Sequence, residues 1–581
     1  MYFPTLNELP TSRKTVDVFG GYNHNLRIGD GEFFEMENMT SDHYPVLAPR
    51  GKRGLYKQPE LATGLIAKEK LCYTDGSCFV MGDERIEMGL SLEPKQLVSM
   101  GAYVIILPDR KYINTMDPED RGDIEASYES IGEVTFTLCT ASGAAYPDAA
   151  VGDTAPENPE DQALWIDSSK SPHVLMRFSQ ATGMWASVAA TYVKISATGI
   201  GQGFKPYDGV TISGIVEPGL ESLNGTVLVQ DCGDDYILVG GIVDQAVTQS
   251  ADAGIVTVER QMPEMDFVIE SGNRLWGCRY GLSREGEMVN EIYASKLGDF
   301  RNWRCYMGIS TDSYTASCGT DGPFTGAITH GGRPLFFKEN HLHKVFGSVP
   351  ANFQIQATAC RGVQNGSHRS LAIVNETLFY KSRGGICAYD GSLPVEASPV
   401  LGNESYKNAV AGAIGNKYYI SMADMEGVYH LFVYDTAKGM WHREDHFRAV
   451  AFAAHQGDLY AIDGADGAIL AMLGSGEEEE KKLHWLVQTG PMGTDSPDTK
   501  YISKLLIRMS LGLGSRVRFL AQYDSMGAWH HLGTIVGTNL KTFSLPIKPV
   551  RCDHLRLRID GEGDCRIYSI TRTIEKGSDV S

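Results

Sequence analysis

Histidines spaced as metal ligands often are occur twice in the sequence. In "HLH", His341 and His343 stand two positions apart, so a strand would carry both imidazoles on one face. His530 and His531 follow Trp529 directly. Neither pair has a third ligand in view, and both read as surface strand positions. Glu285 and Glu287 in "SREGEM" are near enough in sequence for paired acid–base work, but they lie in a loop, where carboxylates ordinarily meet only water. No Walker phosphate loop, G-x-S-x-G elbow or H-E-x-x-H motif occurs. The phrases "FSQATGMW", "YDTAKGMW" and "YDSMGAW" end on Trp185, Trp441 and Trp529. Each reads as a hairpin whose tryptophan returns over a glycine turn, rather than as a sugar-stacking platform. The expectation is a chain with no catalytic residue, no cofactor site and no metal site, and not an enzyme.

The elements behind these residues are strands. "GNRLWGCRYG" opens at Gly272, and its form returns as "GRPLFF", "NETLFY", "GNKYYI" and "QGDLYA". The apolar pairs are Leu275-Trp276, Leu335-Phe336, Leu378-Phe379, Tyr418-Tyr419 and Leu459-Tyr460, and their second members are 60, 43, 40 and 41 residues apart. A short apolar or alternating segment precedes each pair, and another strand follows each of the last four. Strand, turn, strand, turn, strand at this period is the pattern of propeller blades, which bury their faces against one another. The small residues Ala327, Ala372, Ala411, Ala413, Ala451, Ala453 and Ala454 suit strands beside a crowded axis. A plain β-sandwich with accidental spacing is the competing reading. The S-x-D-x-G-x-T-W turns of sialidase-type propellers are absent; "TDGSCF" and "YDTAKGMW" fail that pattern.

The predicted organisation is all-β: a β-propeller with an inserted small β-barrel or sandwich and a C-terminal β-sandwich. Residues 1–63 read as an N-terminal extended segment and 64–130 as the first blade or blades. The rhythm breaks over 131–262, an inserted β domain with the Pro- and acid-rich loop "AAYPDAAVGDTAPENPEDQ". It resumes over 263–475. "GSGEEEEKK" supplies an acidic linker at 476–483, and 484–581 alternates strongly enough for a sandwich.

The 581 residues carry a net charge of −20, which argues against phosphate-neutralising nucleic-acid binding. The cationic turn "PRGKRG", 49–54, is the main local exception and reads as solvated. The longest dense apolar run, "AYVIIL", is far short of the roughly 20 residues of a spanning helix. "MYFPTLNELP" lacks the basic and apolar regions of a secretory signal, which points to synthesis in a cytoplasm. The eleven cysteines include no C-x-x-C and are expected reduced. Cys72 and Cys78 flank a predicted Asp75-Gly76 hairpin turn, in which Tyr73 opposes Cys78 and Cys72 opposes Phe79. That register points the two thiols to opposite faces.

Two stretches carry a family resemblance. Residues 19–54, "FGGYNHNLRIGDGEFFEMENMTSDHYPVLAPRGKRG", resemble the N-terminal signature of bacteriophage tail structural proteins: Gly-Gly, an aromatic, Asn, then "N-M-T-S-D" and "P-R-G". "SGNRLWGCRYG" with "NEIYASKLGDFRNW", 290–303, is similar to the β-propeller nozzle or stabilisation proteins of phage tails, as is the closing "ITRTIEKGSDVS". The resemblance implies a structural component of a virion tail, made in the bacterial host cytoplasm. It implies a homo-oligomeric ring around the DNA exit channel, contacts with a portal or head–tail adaptor and with other tail proteins, DNA only in passage, and no membrane insertion. It transfers no site residues. The acidic composition suggests that "DPEDRGDIE", 117–125, or "PENPEDQ", 156–162, lines that channel. A glycan-binding or glycan-cleaving propeller used in host recognition is the alternative.

Overall fold

Each recurring apolar pair lies in the second strand of an antiparallel sheet, four-stranded for the first four pairs. The first strand runs into a tight turn, and the pair then enters the core. In the first such sheet Phe267–Glu270 pairs with Leu275–Leu282, which pairs with Met288–Ala294 and then Tyr314–Ser317. The computed structural model describes residues 11–284, 286–476, 478–480, 483–494, 500–548 and 550–576. Among these, six four-stranded sheets and one five-stranded sheet form the blades of a propeller: blade 1 (62–87), blade 2 (96–123), blade 3 (267–317), blade 4 (324–359), blade 5 (372–396), blade 6 (407–443) and the five-stranded blade 7 (449–471 with two strands from elsewhere in the chain). Leu275, Leu335, Leu378, Tyr418 and Leu459 are fully buried.

Neighbouring blades share apolar cores. Leu335 and Phe337 of blade 4 pack with Leu378 and Tyr380 of blade 5. Tyr460 and Ile469 of blade 7 pack with Leu65 and Tyr73 of blade 1, which closes the circle. The innermost strands are crowded. A Cβ on Gly412 of blade 6 would lie 2.4 Å from Cβ of Phe452 in blade 7, so no side chain fits there. Closure also uses a strand from far upstream: Gly54–Lys57 pairs with Ile469–Ala471 as the fourth strand of blade 7. A ring whose last blade mixes both ends of its sequence cannot open at that blade without breaking a sheet.

One side of the axis is plugged. His368–Ser370 forms a single helical turn ahead of blade 5. From it Arg369 donates Nη1–H to the Val450 carbonyl of blade 7 at 2.6 Å and Nη2–H to the Lys95 carbonyl ahead of blade 2 at 2.9 Å. A side chain from blade 5 that touches blades 7 and 2 must cross the centre of the ring.

The excursion between blades 2 and 3 holds an eight-stranded and a four-stranded sheet around one core that includes Phe136, Ile166, Ile195 and Val258. The C-terminal strands form a further eight-stranded sheet, bent about the long strand Lys500–Tyr523. Its core is continuous with blade 6: Trp485, Ile507 and Phe519 join Tyr418, Phe432 and Trp441 in one cluster.

Three expectations change. Residues 11–57 are not a free extended segment. Thr11–Val16, Gly21–Tyr22 and Glu32–Glu37 belong to the C-terminal sheet, and Phe19, Tyr22 and Met36 are in the shared core. Gly21, at φ +84°, brings the chain so close to blade 6 that a Cβ would lie 2.4 Å from the Trp441 carbonyl. Residues 1–10 lie outside the described residues. The cationic turn and Glu480 of the acidic stretch also pair with each other and with the blades, while 477, 481 and 482 lie outside the described residues. Glu480 takes a bidentate bond from Arg50 at 2.9 and 3.1 Å, and Arg53 binds Glu444 at 2.6 Å and Asp445 at 2.7 Å. Arg50, Arg53 and Glu444 are buried, so each cation needs its carboxylates there.

The third change is register. Asp75 pairs with Cys78 and Cys72 with Met81, so Gly76 and Ser77 form the turn. Asp75 is held in the ladder because its carboxylate accepts the Leu61 N–H and the Arg85 guanidinium. The shift spans two residues, so the thiols still face opposite cores, Cys72 with Phe79 and Cys78 on the face of Val80. All eleven cysteines are free.

Candidate functional site

A cleft of about 330 Å³ opens where blade 3 meets the inserted sheets. Strand alternation builds one wall. In Met288–Ala294, Ile292 and Ala294 turn into the core shared with blade 4, which leaves Val289, Glu291 and Tyr293 to line the cleft. Arg279 stands directly across the ladder from Glu291. The return from the insert, 261–264, supplies a second wall, and Trp303, Arg304 and Tyr306 a third.

The walls are fixed by a buried polar network. Asn302 accepts the Gly209 N–H at 2.9 Å and donates to Asp208 at 2.9 Å, while Arg260 holds the other Asp208 oxygen at 2.5 Å. Asp208, Arg260 and Asn302 are all buried, so the insert is locked onto blade 3 by satisfied charges rather than by a loose apolar contact. Trp303 lies beneath, 2% exposed, with its indole N–H on the Phe300 carbonyl.

Three arginines and three glutamates line the cleft: Arg279, Arg284 and Arg304 with Glu264, Glu287 and Glu291. Glu264 lies between two of the cations, 3.4 Å from Arg279 and 3.8 Å from Arg284. Arg279 also holds Asp266 at 2.8 Å, and Arg304 reaches Thr211 of the insert at 3.1 Å. Tyr306 leaves 56% of its surface exposed at the mouth, with its hydroxyl 3.0 Å from that of Thr315. The cleft thus offers forked donors, paired acceptors and one accessible ring.

The residues singled out from sequence fall elsewhere, with one exception. His343 is buried, shares a 2.7 Å hydrogen bond with the Thr320 hydroxyl, and has its pKa lowered to about 4 by burial and by the nearby Lys338. Its ring is 6.4 Å from that of His341. His531 bonds the Thr534 hydroxyl three residues along, and His530 is exposed. Among the described residues no group of three His, Cys, Asp or Glu is placed to hold a metal ion. Trp441 is buried with its N–H on the Ala397 carbonyl, and Trp185 packs on Phe178 and Trp165. Glu287 is the exception: it lines the cleft, while Glu285 lies outside the described residues. The acidic loops also differ in place. Residues 117–120 turn between the two outer strands of blade 2, and 156–162 belong to the insert.

No family model matches this chain, and no curated protein matches it. Solved structures do. An exo-β-1,3-galactanase from Phanerochaete chrysosporium matches at 8% identity over 52% of this chain and 94% of its own, with a TM-score of 0.21. An engineered family 43 glycoside hydrolase with endo-xylanase and exo-arabinofuranosidase activity matches at 10% identity over 55% and 100%, with a TM-score of 0.19. A Trypanosoma rangeli sialidase matches at 8% identity over 89% and 95%, also at 0.19. The matched structures are glycoside hydrolases, and the comparison gives no support to the expectation that the chain is not an enzyme. At these TM-scores the likeness assigns no substrate and no catalytic residue to this chain.

Proposed function

We propose that this chain is a glycan-recognition propeller and that the cleft between blade 3 and the insert holds a neutral sugar. The observation that carries the reading is the balance of three arginines against three glutamates beside the exposed ring of Tyr306. A sugar presents hydroxyls that donate and accept at once, together with an apolar C–H face. Guanidinium forks and carboxylates match the first, and an aromatic ring matches the second. With Asp266 also on Arg279 and Glu125 on Arg284, the cleft has no excess cation to draw in an anion. The test is a glycan array with the wild-type protein and Tyr306→Ala, followed by assay of the bound sugar for release of reducing ends. Binding lost in Tyr306→Ala supports recognition, and reducing-end release extends it to cleavage. No binding, or binding that ignores Tyr306, overturns it.

A second reading is favoured by the segment 19–54. We propose that this segment fixes the C-terminal sheet to the propeller as part of a phage-tail structural subunit, assembled as a homo-oligomeric ring that meets a portal or adaptor. Its support is that residues bearing the resemblance hold to the propeller and the C-terminal strands: Gly21 packs against the Trp441 carbonyl of blade 6, Ser41 bonds Asp435 of blade 6, Asn38 bonds the His484 carbonyl, and Arg50 and Arg53 bond Glu480 and Asp445. Negative-stain microscopy of the purified protein tests it. Closed rings support it, and single particles at every concentration contradict it.

A further inference from the structure

On the face where the inner strands begin, a funnel of about 430 Å³ lies between blades 2 and 3 and ends at the axial plug. Met262 and Pro263 separate it from the blade 3 cleft and line both. Its charged lining is Arg110, Asp266 and Arg369, with His368 exposed beside Arg369. Two of these charges are already answered. Arg110 bonds Glu125 at 3.2 Å, and Asp266 is held by Arg279 at 2.8 Å.

Arg369 is different. Its two bonds go to neutral carbonyls, those of Val450 and Lys95, and no carboxylate among the described residues lies within ion-pair distance. The nearby Lys95 is itself a cation, and its ammonium is paired with Asp109 at 2.6 Å. Burial disfavours the charged guanidinium and lowers its pKa, and no anion offsets that cost. A guanidinium has five N–H donors, and two are used here. The apolar walls, Pro94 and Phe267 among them, exclude water from part of the approach and so strengthen any charge interaction at the floor.

We infer that this funnel is an anion-binding site in which Arg369 receives the oxyanion group, phosphate or carboxylate, of a small soluble ligand. The fork of a guanidinium matches either group. The carbonyls of blades 7 and 2 hold it in place before the ligand arrives, so little ordering is left to binding. The site is independent of the glycan reading and stands if that reading fails.

The experiment is titration calorimetry of the full chain with inorganic phosphate and, separately, glucuronate. Phosphate is expected to bind with a Kd on the order of 1 mM. Affinity should fall as salt rises from about 0.05 to 0.5 M, because the contact is ionic. The glucuronate arm separates a carboxylate ligand from a phosphate one. Arg369→Gln should weaken binding at least about tenfold. Pro94 is exposed on the funnel wall, one residue before Lys95, so Pro94→Glu keeps both carbonyls that hold Arg369 while adding a competing carboxylate, and it should weaken binding about as much. If Arg369→Gln fails to fold, Pro94→Glu and the salt series decide. No binding of either anion at about ten times that concentration overturns the inference, as does binding that Pro94→Glu leaves unchanged.

Discussion

Arg369 and Lys95 are 274 positions apart in sequence, yet the guanidinium of one donates to the carbonyl of the other at 2.9 Å across the propeller axis. With its second bond, to Val450, this contact ties three separated blades through one side chain. Hydrogen bonds from a charged donor are worth about 1.5–3 kcal/mol each. Arg369→Met is therefore expected to lower the unfolding free energy by at least about 1.5 kcal/mol, read by urea denaturation. A midpoint that does not move would mean that the plug does not hold the ring together.

The crowding between blades 6 and 7 predicts a paired effect. Gly412→Ala places a methyl against Phe452 and should cost about 1–3 kcal/mol, the usual range for overpacking. Gly412→Ala with Phe452→Ala should cost less than the two single changes together. Simple additivity in the double-mutant cycle would show that the strands relax without meeting.

How much of this was legible in the sequence depends on range. The blade pairs such as Leu378-Phe379 were, because a turn followed by an apolar couplet is a local signal. The strand Gly54–Lys57 was not, because nothing within it names a partner more than 400 residues downstream. The same holds for "PRGKRG" and "EEEE": alone each reads as solvated charge, and only the fold puts Arg50 on Glu480. Glu287 was discounted as a loop carboxylate for the same reason, since the insert that completes its cleft is distant in sequence. The hairpin at Asp75 was misplaced by tertiary bonds to Leu61 and Arg85, which outweigh the local preference for an Asp-Gly turn.

The clasp at Arg53 has its own pH signature. Burial opposes ionisation of Asp445, but the charge and hydrogen bonds of Arg53 outweigh it, and the pKa is lowered. A lowered carboxylate contributes stability above its unfolded value, near 3.8, and loses it as pH falls through the folded one. Arg53→Met leaves Glu444 and Asp445 without that cation and should cost about 3–5 kcal/mol at pH 7. The loss should shrink below about pH 4, as Asp445 protonates. Chemical denaturation of both proteins at pH 7 and pH 3.5 checks this. An equal loss at both values would remove the ionic account of the clasp.

Two core histidines set a higher window. Burial, reinforced by Lys417, lowers the pKa of His442 to about 3, and burial with Lys338 lowers that of His343 to about 4. Both lie below the unfolded value of 6.5, so the unfolded chain takes up protons first as pH drops. Stability should be full above pH 6.5 and decline towards pH 4. His442→Phe should flatten that decline in thermal melts across the range. A variant as steep as wild type would mean that His442 is not the group being titrated.

Sugar recognition in the cleft between blade 3 and the insert would leave a mark at the residues that line it. Hydrogen–deuterium exchange with and without a glycan selected on the array tests it by position. The predicted result is slowed exchange in 261–264, 286–291 and 303–306, with blades 5 and 6 unchanged. Protection confined to other segments, or none at saturating glycan, would contradict it.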